Sequence, residues 1–366
     1  MHPRDLSTHT SYRAGRGVEE VARDQDRDPE TFVTLSSNEN PLGPAPAAVD
    51  AIRSAAPTIH RYPKAAHVDL VEALATHWDL DPTQVWLAAG ADGALDYLAR
   101  AMLAPDDRVL VPDPGFAYYG MSARYHHGTV TTYPLEKATG FALDADTVLD
   151  AYDGERIIYV TSPHNPSGTT IHPEAIQTIA TETDDQTLVV VDEAYAEFAT
   201  TPSAIPLLTD RDDIAVLRTF SKAYGLAGLR VGYALVPASW ADAYTKVATP
   251  FAASELACRA GTAALADQDH VTATVELTDW ARTHIRDAVH APTYESEGNF
   301  VLVDVAEVAT DHATTPASAV TESLQERGVL VRDCTSFGLP DCIRVSCGTR
   351  PETHRAVTAL NEVLTL

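Results

Sequence analysis

Short apolar segments that alternate with helical segments from about residue 85 onwards constrain the fold of this chain more than any other feature. Two of them, 156–161 (RIIYVT) and 187–191 (TLVVV), are apolar at nearly every position, as expected of strands covered on both faces. Strands separated by helical segments predict a mostly parallel α/β sheet with helices on both faces. The strands are predicted at residues 85–89, 108–112, 156–161, 187–191, 214–219 and 230–236.

The length of the chain and a change of pattern near its C-terminus predict more than one domain. Its 366 residues exceed what one ordinary core requires. Residues 1–35 are polar, with a helix-like stretch at 18–23, and we expect them to form an N-terminal arm. We expect a large domain over residues 36–255 and a smaller C-terminal α/β domain over residues 256–366. The small domain is predicted to contain a helical stretch at 258–291, strands at 300–305 and 342–346, and a closing helix at 351–363.

The charge of the chain argues against nucleic-acid and anionic-membrane partners. It carries 52 acidic and 26 basic side chains, which give a net charge of −26, and such a surface repels phosphate groups. Many carboxylates and few lysines favour a protein from a halophile, which stays soluble in high salt, over an acidic mesophilic enzyme. The lysines are Lys64, Lys137, Lys222 and Lys246.

The cysteines and the N-terminal segment bear on location and on metal binding. No C-x-x-C pair is present, so we expect no zinc or redox motif and no metal. The first residues, MHPRDLSTHTSYR, lack the apolar core of a signal peptide, and no apolar run approaches the length of a membrane span. We therefore expect a cytoplasmic protein with free thiols at Cys258, Cys334, Cys342 and Cys347.

Polar residues follow four of the predicted strands, at the edge where open α/β sheets bind ligands. They are Asp92, the segment 162–165 (Ser-Pro-His-Asn), Asp192 and the pair 221–222 (Ser-Lys). A single polar residue after a strand is usually a helix cap or a turn former. Four at successive strand ends predict a pocket.

Asp192 and Lys222 are the candidates for chemistry in this pocket. Asp192 follows four apolar residues, and a buried carboxylate is costly without a positive partner such as a protonated pyridine nitrogen. A helix-capping aspartate is an equally good interpretation of this residue alone. Lys222 adjoins apolar residues in a lysine-poor chain, and a desolvated lysine can act as a nucleophile and move a proton. A surface charge is the usual interpretation of a lone lysine.

An ordered set of motifs gives the chain a family resemblance. It resembles the fold-type I pyridoxal-phosphate enzymes of the class I/II aminotransferase superfamily, and within them it is similar to the histidinol-phosphate aminotransferase family. The similarity extends from Tyr12 to the C-terminal helix. The motifs are 36–41 (Ser-Ser-Asn-Glu-Asn-Pro), 61–63 (Arg-Tyr-Pro), 90–92 (Gly-Ala-Asp), 162–168 (Ser-Pro-His-Asn-Pro-Ser-Gly), 192–195 (Asp-Glu-Ala-Tyr), 221–222 (Ser-Lys) and Arg230.

The resemblance implies a site for pyridoxal 5'-phosphate (PLP). Lys222 would hold the cofactor as a Schiff base, and Asp192 would pair with its pyridinium nitrogen. Tyr195 and Asn165 would bind its phenolic oxygen, and Phe116 would stack on its ring. The cofactor phosphate would be bound by the backbone of Ala91 and Asp92 at a helix N-terminus, by Thr219, Ser221 and Arg230, and by Tyr62 of a second subunit, so a homodimer with shared active sites is implied.

The resemblance also implies the substrates. Arg344 would bind the carboxylate of glutamate or the phosphate of histidinol phosphate, and Arg332 would assist with the phosphate, although a surface charge on a strand is its other interpretation. Tyr12 would contact the phosphorylated substrate across the dimer, with Asn38 and Asn40 lining the same site, unless all three belong to an ordinary loop. The implied reaction transfers the amino group of histidinol phosphate to 2-oxoglutarate, giving imidazole-acetol phosphate and glutamate in histidine biosynthesis.

Other functions fit parts of the same pattern. A threonine-phosphate decarboxylase and an aromatic amino acid aminotransferase share the fold and the lysine. A non-catalytic ligand-binding protein on this fold is disfavoured by the full set of catalytic residues. A dinucleotide-dependent dehydrogenase is disfavoured because no G-x-G-x-x-G follows a predicted strand.

Overall fold

The computed structural model describes residues 2, 6–12, 15, 17–64, 67–310 and 314–365, and within these ranges the chain forms two β-sheets flanked by helices. The strands are β1 Val33–Leu35, β2 Val85–Ala88, β3 Arg108–Asp113, β4 Thr129–Pro134, β5 Ile157–Thr161, β6 Leu188–Asp192, β7 Ile214–Thr219, β8 Gly232–Leu235, β9 Phe300–Asp304, β10 Val329–Asp333 and β11 Cys342–Ser346. The helices are α1 Val18–Asp24, α2 Pro46–Ala55, α3 Val68–Trp78, α4 Gly90–Met102, α5 Tyr118–Tyr125, α6 Ala145–Leu149, α7 Pro173–Glu182, α8 Ala241–Val247, α9 Glu255–Ala266, α10 Gln268–Ala288, α11 Pro316–Glu326 and α12 Arg350–Leu364. In the described ranges, the helices are too short or too polar to cross a membrane.

The larger sheet has seven strands in the order β2-β8-β7-β6-β5-β3-β4. Only β8 runs against its neighbours, so the predicted mostly parallel sheet is confirmed. Every residue of β5, β6 and β7 is buried, because helices cover both faces of the sheet. Each fully buried aliphatic side chain in these strands contributes roughly 1.5–3 kcal/mol of hydrophobic stabilisation.

The smaller sheet has four strands in the order β1-β10-β11-β9. Its strand β1, residues 33–35, belongs to the segment that the sequence assigned to the N-terminal arm. The strand pairs in parallel with β10, and Val33 and Leu35 pack in the same core as Ile343. A strand of three residues is too short to stand out as a pattern, and it is held by a partner almost three hundred residues away. The division into an arm, a large domain and a small domain stays a prediction.

Two further differences from the sequence analysis have local causes. The helical stretch expected at 258–291 is two helices, α9 and α10. Asp267 separates them and caps the second, since its carboxylate accepts a hydrogen bond from the backbone N–H of His270 at 3.1 Å. Strand β4 was not expected, because it is a threonine-rich edge strand with little burial.

The carboxyl ends of β5, β6 and β7 and the N-terminus of α4 meet at one edge of the larger sheet. Thr161 and Asp192 end neighbouring strands and are partners in register. Helix α4 follows β2 directly, and its first turn lies against Gly232 at the start of β8. A side chain at Gly232 would clash with the backbone nitrogen of Ala91, so the close approach of helix and strand requires glycine here.

Candidate active site

A cavity of about 290 Å³ opens at this edge and is lined by residues of both sheets. It brings together the residues that the sequence analysis assigned to a cofactor and a substrate, apart from Tyr62 and Asn40. The lining residues from that set are Tyr12, Asn38, Ala91, Asp92, Phe116, Asn165, Asp192, Tyr195, Thr219, Ser221, Lys222, Arg230, Arg332 and Arg344.

Asp192 is a buried carboxylate at the end of β6 whose partners are neutral. Its Oδ1 accepts a hydrogen bond from the backbone N–H of Ala194 at 3.0 Å, and its Oδ2 accepts one from the hydroxyl of Tyr119 at 2.6 Å. Among the described residues, no cationic side chain forms an ion pair with it. Burial raises the pKa of Asp192 to about 6, against the effect of both hydrogen bonds. The site therefore favours a cationic ligand atom beside this carboxylate.

Lys222 projects into the cavity three residues after β7. Its Nζ donates a hydrogen bond to the carbonyl oxygen of Ser37 at 3.3 Å and lies 5.5 Å from the centre of the Tyr195 ring. The hydroxyl of Tyr195 accepts a hydrogen bond from Nδ2 of Asn38 at 3.1 Å. The side chain of Lys222 is only half-buried, so its amine is accessible from the cavity.

The N-terminus of α4 forms an anion-binding corner with the loop after β7. Residue Ala89 provides no side-chain cap, so the first N–H groups of α4 are left for a ligand. Ser221 and Arg230 lie beside this corner, with Arg230 Nη1 3.5 Å from the Ser221 hydroxyl. Arg230 also forms an ion pair with Asp92 at 3.0 Å, which orients its guanidinium. These groups suit a phosphate.

Two arginines of the smaller sheet form the opposite end of the cavity. Arg332 on β10 and Arg344 on β11 are direct partners in register, although like charges at opposed positions repel each other. Arg344 is buried and donates to Oδ1 of Asn165 and to the carbonyl oxygen of Ser36 at 2.9 Å, while its Nε has no partner among the described residues. Burial lowers the pKa of Arg344 from its ordinary value, and the neighbouring Arg332 adds to this effect. An anion bound between Arg332 and Arg344 would offset the repulsion between the two guanidiniums and the cost of burying the charge of Arg344.

Asn40 and Tyr62 lie away from this cavity. Asn40 is not among the residues that line this cavity, and its role in the site stays a prediction. Its amide nitrogen donates to the carbonyl of Ala223 at 2.8 Å and to the Thr274 hydroxyl at 3.2 Å. Asn40 thus fixes the loop that precedes α2. Tyr62 is 82% exposed and stacks on Phe251 with ring centres 4.7 Å apart.

Tyr12 reaches the cavity of its own subunit. Its ring packs edge-on against Phe116 with centres 5.9 Å apart, whereas the resemblance implied a contact across the dimer. Of the arm motif around Tyr12, residues 13, 14 and 16 lie outside the described ranges.

The sequence analysis missed residues that surround Asp192. Tyr119 binds the carboxylate directly, and a fully buried ion-pair network lies beside it. Arg218 on β7 donates to Glu193 at 2.8 Å and to Glu197 at 2.9 Å, and its guanidinium lies 4.7 Å from the Trp78 ring centre. A polar residue in the apolar strand Ile214–Thr219 was the available signal for Arg218. For Tyr119 the sequence offered none, since three tyrosines occur in this helix.

Comparison with known proteins places the chain in a family. A family model for aminotransferase class I and II matches residues 30–360. The chain therefore belongs to this family of enzymes, as its motifs predicted. It is similar to the histidinol-phosphate aminotransferase of Haloarcula marismortui, with 62% identity over 364 residues that cover 100% of this chain and 99% of the relative. The histidinol-phosphate aminotransferase of Halorubrum lacusprofundi is 60% identical, with coverage of 100% and 98%.

Both relatives come from halophilic archaea, which agrees with the acidic, lysine-poor composition of this chain. Among solved structures, the histidinol-phosphate aminotransferase from Sinorhizobium meliloti in complex with pyridoxal-5'-phosphate is similar, with a TM-score of 0.86 and 29% identity. The alignment covers 99% of this chain and 97% of that chain.

Proposed function

We propose that this chain is a PLP-dependent aminotransferase that converts L-histidinol phosphate and 2-oxoglutarate into imidazole-acetol phosphate and L-glutamate, a step in histidine biosynthesis. One observation carries the proposal. A cavity with a lysine, a cation-free buried aspartate and an anion-binding helix end also holds a pair of arginines at its far side. The names of the relatives at 60% identity and above support the same substrate.

The cavity fits PLP at each of its functional groups. Lys222 Nζ would hold the aldehyde carbon, and Asp192 would face the ring nitrogen. The ring would lie against Phe116, the phenolic oxygen near Asn165 and Tyr195, and the phosphate at the α4 N-terminus. The phosphate ligands are the backbone of Ala91 and Asp92 with Thr219, Ser221 and Arg230.

When bound, the cofactor supplies a protonated pyridine ring that accepts the electrons left at the substrate carbon after proton loss. Through its negative charge, Asp192 would keep that ring nitrogen protonated. Lys222 Nζ, when it is not bonded to the cofactor, would take the proton from the substrate Cα and deliver it to the cofactor carbon that carried the aldehyde.

The two arginines bind the part of the substrate that differs between the two half-reactions. Arg344 can bind the α-carboxylate of glutamate or the phosphate of histidinol phosphate, since its planar guanidinium can donate two parallel hydrogen bonds to either group. Arg332, directly opposite on β10, adds a second guanidinium for the dianion. Tyr12 and Asn38 complete the lining on the side of the arm.

An exposed aromatic pair supports a homodimer with shared active sites. The pair is Tyr62 and Phe251, whose rings stack with centres 4.7 Å apart and are both exposed in the single chain. A second copy of the chain would cover it and would bring Tyr62 to the cofactor phosphate of its partner. We also propose a cytoplasmic location, because the four cysteines are free and buried.

A spectroscopic and a catalytic measurement test this function together. The purified chain with PLP is expected to show a visible absorption band that Lys222→Ala abolishes and that Lys246→Ala, a change at an exposed lysine, leaves in place. Glutamate should form from histidinol phosphate and 2-oxoglutarate. A colourless protein that PLP cannot reconstitute would overturn the cofactor site. Release of CO₂ from threonine phosphate, without transamination, would identify the decarboxylase instead.

The substrate end has its own test. Arg332→Gln is expected to raise KM for histidinol phosphate by about 10- to 100-fold, the loss of one or two charge-assisted hydrogen bonds. KM for glutamate should change much less, because Arg344 remains. Equal effects on both substrates, or efficient turnover of aromatic amino acids by the unmodified enzyme, would favour an aromatic aminotransferase.

A further inference from the structure

Tyr119 occupies a position that its burial alone does not explain. It lies in the first turn of α5, is fully buried, and directs its hydroxyl at the ends of two neighbouring strands. The hydroxyl is 2.6 Å from Oδ2 of Asp192 on β6 and 2.8 Å from the Thr161 hydroxyl on β5. A phenylalanine would fill nearly the same volume, so the hydroxyl contributes through its hydrogen bonds and not through packing.

The direction of these hydrogen bonds follows from the number of protons. An ionised carboxylate accepts only, so Tyr119 must donate its single proton to Asp192. The Thr161 hydroxyl must then donate to the oxygen of Tyr119. The result is a directed chain from Thr161 through Tyr119 to Asp192, in which each bond strengthens the next.

The ring of Tyr119 is held on two sides. It stacks on Tyr159 with centres 4.6 Å apart and planes 9° apart, and it meets Phe116 edge-on with centres 5.4 Å apart. Phe116 is the residue proposed to stack on the cofactor ring. Tyr119 therefore connects the partner of the ring nitrogen with the residue that lies on the ring face.

We propose that Tyr119 is a positioning residue of the cofactor site, whose hydroxyl keeps Asp192 ionised and leaves the free lone pairs of this carboxylate for the ring nitrogen. This inference rests on the proposed function. The Ala194 N–H binds the other carboxylate oxygen, so the two donors together fix the plane of the group.

The surroundings of Asp192 make this donor important. Burial and the nearby carboxylates of Asp92 and Glu193 all raise the pKa of Asp192, whereas the hydrogen bonds from Tyr119 and Ala194 lower it. Lys222 faces the same cavity but forms no ion pair with Asp192 in the described ranges. Burial and the charge of Asp192 raise the pKa of Tyr119 far above its ordinary value, so Tyr119 stays a donor at every working pH.

The test compares Tyr119→Phe with Tyr133→Phe by the pH dependence of ligand binding. Tyr133 is a matched control, because it is equally buried and its hydroxyl donates to a backbone carbonyl, that of Tyr159 at 2.9 Å. The probe is pyridoxamine 5'-phosphate, which carries the ring and the phosphate but cannot bond to Lys222. Its dissociation constant is measured from pH 5 to pH 8 by the change in its absorbance or fluorescence.

We expect Tyr119→Phe to weaken binding by about tenfold at pH 5 and to match the unmodified protein near pH 8. The reason is that loss of a hydrogen bond to the charged form raises the pKa of Asp192, so a larger share of this carboxyl is protonated at pH 5. Thr161→Val, which removes the donor behind Tyr119, should move the curve in the same direction by a smaller amount. Tyr133→Phe should leave the pH dependence unchanged, whatever its effect on melting temperature.

A binding curve for Tyr119→Phe that is parallel to that of the unmodified protein at all pH values would overturn the inference. Failure of the proposed function has a different signature. In that case the unmodified protein itself would bind neither PLP nor pyridoxamine 5'-phosphate, and the inference about Tyr119 would be overturned together with the proposed function.

Discussion

Asp192 and Glu193 are adjacent in sequence and equally buried, yet the fold treats their charges in opposite ways. Glu193 pairs with Arg218 at 2.8 Å, and it also accepts hydrogen bonds from the backbone of Ala204 at 2.6 Å and from the Ser203 hydroxyl at 2.7 Å. Asp192 faces the cavity with neutral donors only. The buried guanidinium of Arg218 binds Glu193 and Glu197, and in the described ranges Asp192 has no cation of its own.

The charge of Glu193 thus stabilises the fold, whereas the charge of Asp192 is available to a ligand. The network around Arg218 is formed by side chains of the protein itself, and its two carboxylates raise the pKa of the guanidinium although burial opposes this. Asp192 gains a cationic partner only when a ligand brings one into the cavity. A buried carboxylate without a cation costs free energy, and binding of a pyridinium ring would recover that free energy.

The largest effect is expected from breaking the Arg218 network. Arg218→Met should destabilise the apoprotein by about 3–5 kcal/mol, because it leaves Glu193 and Glu197 buried without their cation. Urea denaturation at neutral pH measures the change. Arg259→Met is the control, since Arg259 forms an exposed pair with Glu255 on α9 and its loss should cost less than about 1 kcal/mol. Similar losses in the two variants would mean that the buried network contributes no more than a surface pair.

Asp192→Asn is expected to have the next largest effect, and on activity. An amide has the same shape but lacks the charge that would hold the cofactor ring protonated, and only one of its two terminal atoms can accept a hydrogen bond. The ratio kcat/KM for transamination should fall by about 10²–10³, the range found when one group that stabilises a developing charge is removed. The measurement is steady-state kinetics with saturating PLP. If the variant kept nearly full activity, the proposed catalytic role of Asp192 would be wrong.

The same substitution should stabilise the apoprotein. The pKa of Asp192 in the folded protein is about 6, above its ordinary value of 3.8, so the folded state binds this proton more tightly than the unfolded state. Its favourable contribution is therefore present below about pH 4 and is lost as the pH rises through 6. At pH 7 the ionised carboxylate costs on the order of 3 kcal/mol.

Denaturation of the two apoproteins at several pH values checks this prediction. Asp192→Asn should be the more stable at pH 7, and the difference should vanish near pH 4. With PLP bound, the order at pH 7 should reverse, because the carboxylate then has its partner. If the Asp192→Asn apoprotein were the less stable of the two at pH 7, this charge would not be held ready for a ligand.

The contrast also marks what the sequence could predict. Strand β6, with its apolar run ending in Asp192, was predictable because burial on both faces leaves an unmistakable pattern, and the motif order placed Lys222 and Arg230 beside it. The partners of Asp192 and Glu193 were not predictable. Tyr119 and Arg218 come from other elements, and only the three-dimensional packing decides which acid receives the cation. The edge strand β1 was not predicted for the same reason, since its partner β10 is remote in sequence.

Lys137 shows a third way of pairing a charge, and its substitution is expected to have the smallest effect on stability. Its ammonium joins the two sheets, since it follows β4 and binds Asp304 on β9 at 2.8 Å and Asp341 just before β11. All three side chains are partly exposed, so salt should screen this contact far more than the contact at Arg218. Lys137→Met is expected to cost about 1 kcal/mol at about 0.1 M salt and much less at about 1 M. Lys246→Met, which removes an exposed ammonium, is the control. An equal loss at both salt concentrations would show that Lys137 contributes by packing, and it would then resemble Arg218 more closely than a surface charge.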